Sequence, residues 1–439
     1  MSDATSEWVA EVTGDDGDEH RAEQRRRRGV GKGVASLIVF VLILGVCYAA
    51  LSLLAPAPAV AGTAHSDLTA VSADGDPMRA PDSARATGVA VVGMDEAVDA
   101  AGDDELLPMA SITKLITALV VLEEFPLEEG EHGESITMTA QDLGYYWDVA
   151  AVSGVVTDLR EGDELSQRTL LERSIAVSSG NATLSLVRWA FGGEEEFLTA
   201  ANQWLEANDL HETEIADSTG LSADSRATAA DMARMGRIAY EHPVMRELMA
   251  VESVSVMGDT MRNTNPLLGD EGVVGGKTGT LFASGHNLLV VAEREVHGTE
   301  MSVVGVVIGV SQAGSVPGAT TSWLDQSFNR FEERVVLPRG TVVGEYAPDW
   351  SDRVITASTT EELTAITWPG IDIPVSVLLD PVPAGSLSAT PGNATVVSFD
   401  TAMSADVAID GLIPPPDALW RLGTPSLAVN WILDLFGSE

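Results

Sequence analysis

Between Val34 and Ala55 the chain runs for 22 residues without a charged side chain. As a helix rising ~1.5 Å per residue this stretch is about 33 Å long, enough to cross a hydrocarbon core of ~30 Å. No other feature limits the fold so strongly, because it sets the chain before it and the chain after it on opposite sides of a bilayer. Residues 1–33 are polar and end in Arg25, Arg26, Arg27, Arg28 and Lys32. A basic flank stays in the cytoplasm, so everything after Ala55 is expected to be exported. Ala59-Val60-Ala61 fits a small-x-small cleavage pattern, and a removable export signal is the competing reading. The polar region and the apolar run are both long for such a signal, which favours an uncleaved single-pass anchor.

Cys47 lies inside the apolar run, where it reads as one more apolar helix residue. The exported part has no cysteine, so no disulfide staples it and its stability must come from core packing. Acidic residues number 66 against 25 Lys and Arg, a formal charge of -41. That surface repels phosphate backbones and argues against nucleic-acid partners. The 7 histidines include no HExxH pair, and no metal or cofactor site is expected.

Composition and periodicity divide the chain into a basic-ended tail (1–33), a transmembrane helix (34–55), a tether (56–85), a large central domain (86–337) and a C-terminal domain (338–439). Residues 56–85 are rich in Ala, Pro, Ser, Asp and Gly and read as solvated linker. A strand-like run at Ala86–Met94 follows. Ile112–Phe125 reads as a helix stopped by Pro126. Leu170–Val177 and Ala182–Ala190 read as helices broken by Ser178-Ser179-Gly180-Asn181, and Thr228-Ala-Ala-Asp231 reads as a capping box. Val273–Thr280, Asn287–Arg294 and Met301–Val310 are β-rich, and Trp323–Val336 reads as a last helix. Helices between an early strand and late antiparallel strands make an α+β fold. After Pro338 only strands and turns are expected, a small all-β domain, with an amphipathic tail at Leu427–Phe436.

Lysine occurs at only 3 of the 25 cationic positions, Lys32, Lys114 and Lys277. Arginine stays protonated in a protein, whereas lysine can lose its proton when buried, so the two exported lysines single out positions where that difference counts. Both fall inside an ordered triple: Ser111-Ile112-Thr113-Lys114, Ser179-Gly180-Asn181 and Lys277-Thr278-Gly279, with 68 and 98 residues between their first members. Each motif is weak alone; the ordered triple is specific. Ser111 opens a helix and Lys114 stands one turn on, on the same face. A serine hydroxyl needs a base to become a nucleophile, and a lysine with a lowered pKa is such a base. Lys277 is the second cation that lowers it. Ser179 is placed to shuttle a proton, and Asn181 to orient Lys114 and a substrate amide. Gly279 lets the strand backbone approach a ligand. The N–H groups of Ser111 and Thr280 form an oxyanion hole, and Lys277 and Thr278 receive a carboxylate.

With these motifs the chain resembles the serine-type D-Ala-D-Ala carboxypeptidases, the low-molecular-mass penicillin-binding proteins. Pro108-Met-Ala-Ser111-Ile-Thr-Lys114-Leu-Ile-Thr-Ala-Leu is similar to the family's nucleophile stretch. Asp217-Ser-Thr-Gly-Leu221 followed by Thr228-Ala-Ala-Asp-Met-Ala resembles its middle signature, and Gly276-Lys-Thr-Gly-Thr280 with Gly285-His-Asn-Leu288 its third motif. The likeness covers roughly Ala86–Phe328. It implies a penicillin-binding/β-lactamase-like catalytic domain, removal of the terminal D-Ala from peptidoglycan stem peptides through an acyl-Ser111 intermediate, and inhibition by β-lactams. Many members add a C-terminal β domain. Two features depart from the pattern: Leu281-Phe282 is bulkier than a polar or small pair, and the anchor is N-terminal.

Two other functions compete. A β-lactamase of the class A kind needs a deacylating carboxylate in a Glu-x-x-x-Asn loop, where this chain has Asp217-Ser-Thr-Gly-Leu221. A non-enzymatic wall-binding scaffold would not need all three motifs intact.

Overall fold

The computed structural model describes residues 16–436 apart from 67, 72–74 and 400. The remainder of the basic-ended tail, residues 1–15, lies outside the described residues. Helix α1 spans Asp16–Leu54. Its Gly31–Leu54 portion has a mean hydropathy of 2.8 and is long and apolar enough to cross a membrane. Leu37, Phe40 and Leu44 on this portion are exposed, because no core covers them.

Residues expected as tether supply strands instead. Ala59–Val60 pairs with Val382–Pro383, Gly62–Ala64 with Gly344–Tyr346, and Thr69–Val71 with Asp372–Pro374. Runs of two or three residues are too short to alternate visibly, so their strand character comes from the edges they complete. Val60 is buried and Gly62 lies against the Tyr346 ring. A chain starting at Asp82 is therefore expected to unfold at lower temperature than one starting at Pro56. Burial of a valine alone stabilises by about 1.5 kcal/mol or more, and the loss would leave two sheet edges open. Thermal unfolding of the two soluble fragments measures the difference.

The catalytic region is built on a five-stranded antiparallel sheet, ordered Val273–Leu281, Gly285–Val296, Thr299–Val310, Ala86–Val91, Val98–Gly102. Both faces are covered, which is why the inner strands read as nearly unbroken apolar runs. Leu288, Val290, Val303 and Val307 face Trp323, Leu324 and Phe328 on one side. Leu289, Val291, Val304 and Val306 face the helical layer on the other. That layer contains α2 (Thr113–Glu124), α3 (Ala140–Ala151), α4 (Gln167–Ile175), α5 (Gly180–Phe191), α6 (Glu194–Ala207), α7 (Ala229–Glu241) and α8 (Pro243–Ala250). Thr228 caps α7 by accepting the N–H of Asp231, whereas the Asp231 carboxylate turns to the N–H of Glu212. Only half of the expected box is thus used.

The last helix of this region, α9, runs over Val316–Phe328. Glu332–Leu337, expected as its second half, is a strand paired with Leu363–Thr367. Val335 and Val336 are β-branched, and the available partner strand decides their conformation. Beyond it stands a seven-stranded antiparallel sheet with its own core around Val343, Tyr346, Ala357, Val396 and Val407. The C-terminal part also ends in two helices, α10 (Ala418–Gly423) and α11 (Pro425–Phe436). They pack on the end of α1: the Tyr48 hydroxyl donates to the Leu422 carbonyl at 2.6 Å, and Arg421 donates to the Ala55 carbonyl at 2.7 Å.

Candidate active site

The chain turns sharply just before the first motif. Ala110 has φ +52°, and a short 3₁₀ turn over Ala110–Ile112 leads into α2. Ser111 is thereby presented at the helix start, and Lys114 lies under it. The Lys114 Nζ is 2.9 Å from Ser111 Oγ and donates to the Thr219 carbonyl at 2.6 Å. The loop that supplies this carbonyl is organised by Asp217, which accepts from the Thr219 and Leu221 N–H groups at 3.2 and 2.9 Å. Gly220 is required there. Its φ is +73°, and a Cβ would meet the Ala110 carbonyl oxygen at 1.9 Å.

The edge strand Val273–Leu281 forms the opposite wall. Lys277 Nζ contacts Ser178 Oγ at 2.9 Å and donates to the Thr278 carbonyl at 3.0 Å. The Thr278 hydroxyl meets that of Thr264 at 2.6 Å, and Thr280 Oγ1 lies 3.2 Å from His286 Nδ1. At Gly279 the close approach expected toward a ligand is toward the protein itself: a Cβ would come within 2.8 Å of the Met109 carbonyl oxygen. The missing side chain lets the strand lie against the turn that carries Ser111.

Of the second motif only Gly180 borders the cleft, and the Ser179 and Asn181 side chains point into the protein. Ser179 and Asn181 are fully buried. Ser179 Oγ donates to Asn181 Oδ1 at 2.8 Å, lies 2.9 Å from Thr157 Oγ1 and caps α5 by accepting the Ala182 N–H. Asn181 accepts the Thr157 N–H and donates to the Thr157 carbonyl, both at 2.9 Å. The pair clasps the Thr157 segment, and Ser178 is the residue turned to Lys277. Asn287, which lies in the Gly285-His-Asn-Leu288 stretch but has no role in the motif reading, is a further contributor. It donates to the Pro108 carbonyl at 3.0 Å and accepts the Gly309 N–H at 3.0 Å, tying the nucleophile turn to the sheet. A lone buried asparagine inside an apolar strand is the sequence signal for it.

The cleft between these walls measures about 660 Å³. Ser111, Lys114, Ser178, Thr278 and Thr280 line it, with Val152, Val155, Leu281 and Phe282 at its rim. Among the described residues none that lines it is acidic, although the chain carries a charge of -41. Burial pushes Lys114 down to about 8, against the pull of the Asp217 carboxylate. Lys277 is held well below the usual lysine range by burial and by the nearby Lys114 charge. Two ammonium groups buried together cannot both stay charged, and the pair shares the resulting depression.

A family model described as D-alanyl-D-alanine carboxypeptidase matches residues 94–312, which include the nucleophile turn, both lysines and the clasp. The chain belongs to the D-alanyl-D-alanine carboxypeptidase family. Among its relatives, D-alanyl-D-alanine carboxypeptidase DacD of Escherichia coli is 28% identical over 270 residues, 60% of this chain and 68% of the relative. DacF of Bacillus subtilis is 26% identical over 288 residues, 62% and 69% of the two chains. A D-alanyl-D-alanine endopeptidase of Pseudomonas aeruginosa is 29% identical over 198 residues, 43% and 60% of the two chains. The fold is that of penicillin binding protein 5 from Haemophilus influenzae, with a TM-score of 0.54 at 20% identity, covering 77% of this chain and 99% of that one.

Proposed function

We propose that the protein removes the terminal D-Ala from peptidoglycan stem peptides through an acyl-Ser111 intermediate and is a target of β-lactams. The observation that carries this reading is the 2.9 Å contact between Lys114 Nζ and Ser111 Oγ in a cleft lined by Thr278 and Thr280. Neutral Lys114 takes the Ser111 proton, and Ser111 Oγ attacks the carbonyl carbon of the D-Ala-D-Ala bond. The Ser111 and Thr280 N–H groups stabilise the oxyanion. The substrate carboxylate is received by Lys277 and the Thr278 hydroxyl. A charged Lys277 beside Lys114 disfavours the protonated form of that amine and so favours the base. The absence of an acidic lining residue supports a carboxypeptidase over a β-lactamase, because no carboxylate stands ready to activate water for fast release of a penicilloyl group.

Placement outside the cytoplasm, with α1 as a single-pass anchor, is part of the same proposal. The exposed apolar length of Gly31–Leu54 and the basic residues that precede it support this orientation. The test is fluorescent penicillin together with D-Ala release from a stem pentapeptide. A stable label and D-Ala release support the reading. Rapid drug turnover without D-Ala release would replace it with a lactamase, and the absence of both with a scaffold.

The rate of acylation is expected to follow the neutral fraction of Lys114. With a pKa of about 8, the rate should rise about tenfold per pH unit up to pH 8 and level off above it. Stopped-flow acylation by a penicillin between pH 5.5 and 9.5 checks this; a rate independent of pH would exclude the lysine as base.

A further inference from the structure

Among the described residues that line the cleft, two side chains can carry a positive charge, Lys114 and His286. Lys114 is held under Ser111 and by the Thr219 carbonyl, and it has to be neutral to act as the base. Lys277 is not on the lining. It is 1% exposed, and its Nζ already serves Ser178 Oγ and the Thr278 carbonyl. An ammonium has three N–H donors, so Lys277 keeps one for a ligand, and the Thr278 hydroxyl adds one more. A carboxylate offers about four lone-pair sites, and one drawn out of water is destabilised by each site left unpaired. Those two donors leave a bound carboxylate incompletely satisfied.

His286 stands where a further donor is needed. It lies directly across from Thr280 in the pairing of the edge strand with its neighbour, and Thr278 comes two residues before Thr280. Side chains two apart on a strand share a face, so Thr278, Thr280 and His286 project from the same side of the sheet. The ring is half-buried, and its Nδ1 is 3.2 Å from Thr280 Oγ1. When the Thr280 hydroxyl donates to Nδ1, the imidazole proton sits on Nε2, which becomes the free donor. Ala313 and Val316, from the turn before α9 and its first residue, line the cleft too and bring no side-chain acceptor to compete for it.

We propose that His286 determines specificity for a free C-terminus: its Nε2–H donates to the carboxylate of the departing D-Ala, beside Thr278 and Lys277, and the Thr280 hydroxyl fixes the ring for that task. The inference rests on the carboxypeptidase reading of the same site. His286 makes and breaks no bond here; Ser111 and Lys114 keep the chemistry, and the histidine holds the leaving group.

Two synthetic acyl-D-alanyl thioesters isolate carboxylate recognition. In one the leaving group is thioglycolate, which carries a carboxylate as D-Ala does. In the other it is thioglycolamide, neutral and nearly the same shape. Thiol release by the full chain measures both. The wild type is expected to prefer the thioglycolate ester. His286→Leu should lower kcat/KM for that ester about 10- to 100-fold, the worth of a hydrogen bond to a charged group, and mainly through KM. The neutral ester should lose less than about threefold. His286→Gln returns an amide N–H near the Nε2 position and should recover part of the preference. Equal losses with both esters, wild-type thioglycolate turnover in His286→Leu, His286→Gln as poor as His286→Leu, or a wild type without preference would each overturn the assignment. If the wild type releases thiol from neither ester and forms no penicillin adduct on Ser111, the carboxypeptidase reading beneath it has failed.

Discussion

Ser111→Ala is expected to abolish covalent labelling by penicillin while leaving the fold intact. The substitution takes one acceptor from the Lys114 amine, which keeps its hydrogen bond to the Thr219 carbonyl, and no cavity larger than an oxygen opens. Stability should change by less than about 1 kcal/mol, the range of substitutions that disturb neither core nor network. Labelling should fall to background, because an alanine offers no oxygen to acylate. Mass spectrometry of the wild type after penicillin should place the adduct on the peptide containing Ser111. A label that survives Ser111→Ala, or an adduct on Ser178 or Ser179, would remove Ser111 from the mechanism.

Lys114→Arg and Lys277→Arg both preserve formal charge and should nevertheless differ. Lys114 must spend part of its time as a neutral amine, and arginine, with a pKa above ~12, never does. Its guanidinium would also have to fit where the ammonium now bridges Ser111 Oγ and the Thr219 carbonyl in a site 1% exposed. Acylation should fall by on the order of 10² to 10⁴, the usual worth of a positioned base. At Lys277 a fixed charge is compatible with holding a carboxylate, so Lys277→Arg should keep part of the activity and lose the rest through fit between Ser178 and the Thr278 carbonyl. The sign of its pH effect follows from repulsion. A permanent charge beside Lys114 disfavours the protonated amine, lowers its pKa, and moves the rise in rate to lower pH than in the wild type. Wild-type acylation in Lys114→Arg, or an alkaline shift in Lys277→Arg, would contradict this division of roles.

The apolar run, the basic flank and the three motifs are local statements, and they were legible in order along the chain. Residue types fix what chemistry a lysine or a serine can perform, and the scarcity of lysine singled out Lys114 and Lys277 before any contact was known. The α+β class was equally legible, because helical and strand periodicities follow from short-range geometry. Pairing was not. Ala59–Val60, Gly62–Ala64 and Thr69–Val71 carry no periodicity of their own and become strands because Val382–Pro383, Gly344–Tyr346 and Asp372–Pro374 stand open beside them. Residues 332–337 continue a helical pattern on paper and become a strand because Leu363–Thr367 is there to pair with.

The same division holds inside the site. Sequence alone determined which side chains could form a nucleophile, a base and an anion receiver, since these are properties of the side chains themselves. Only the tertiary structure decided which of two adjacent serines meets Lys277. That choice depends on one backbone angle at Ser178 and on the Thr157 clasp across 22 residues. It also decided that Gly279 makes room for the Met109 backbone, and that Asn287 anchors the nucleophile turn from 178 residues away. Burial, which lowers both lysines, belongs to the folded state alone: no residue is dry until the core around it has formed.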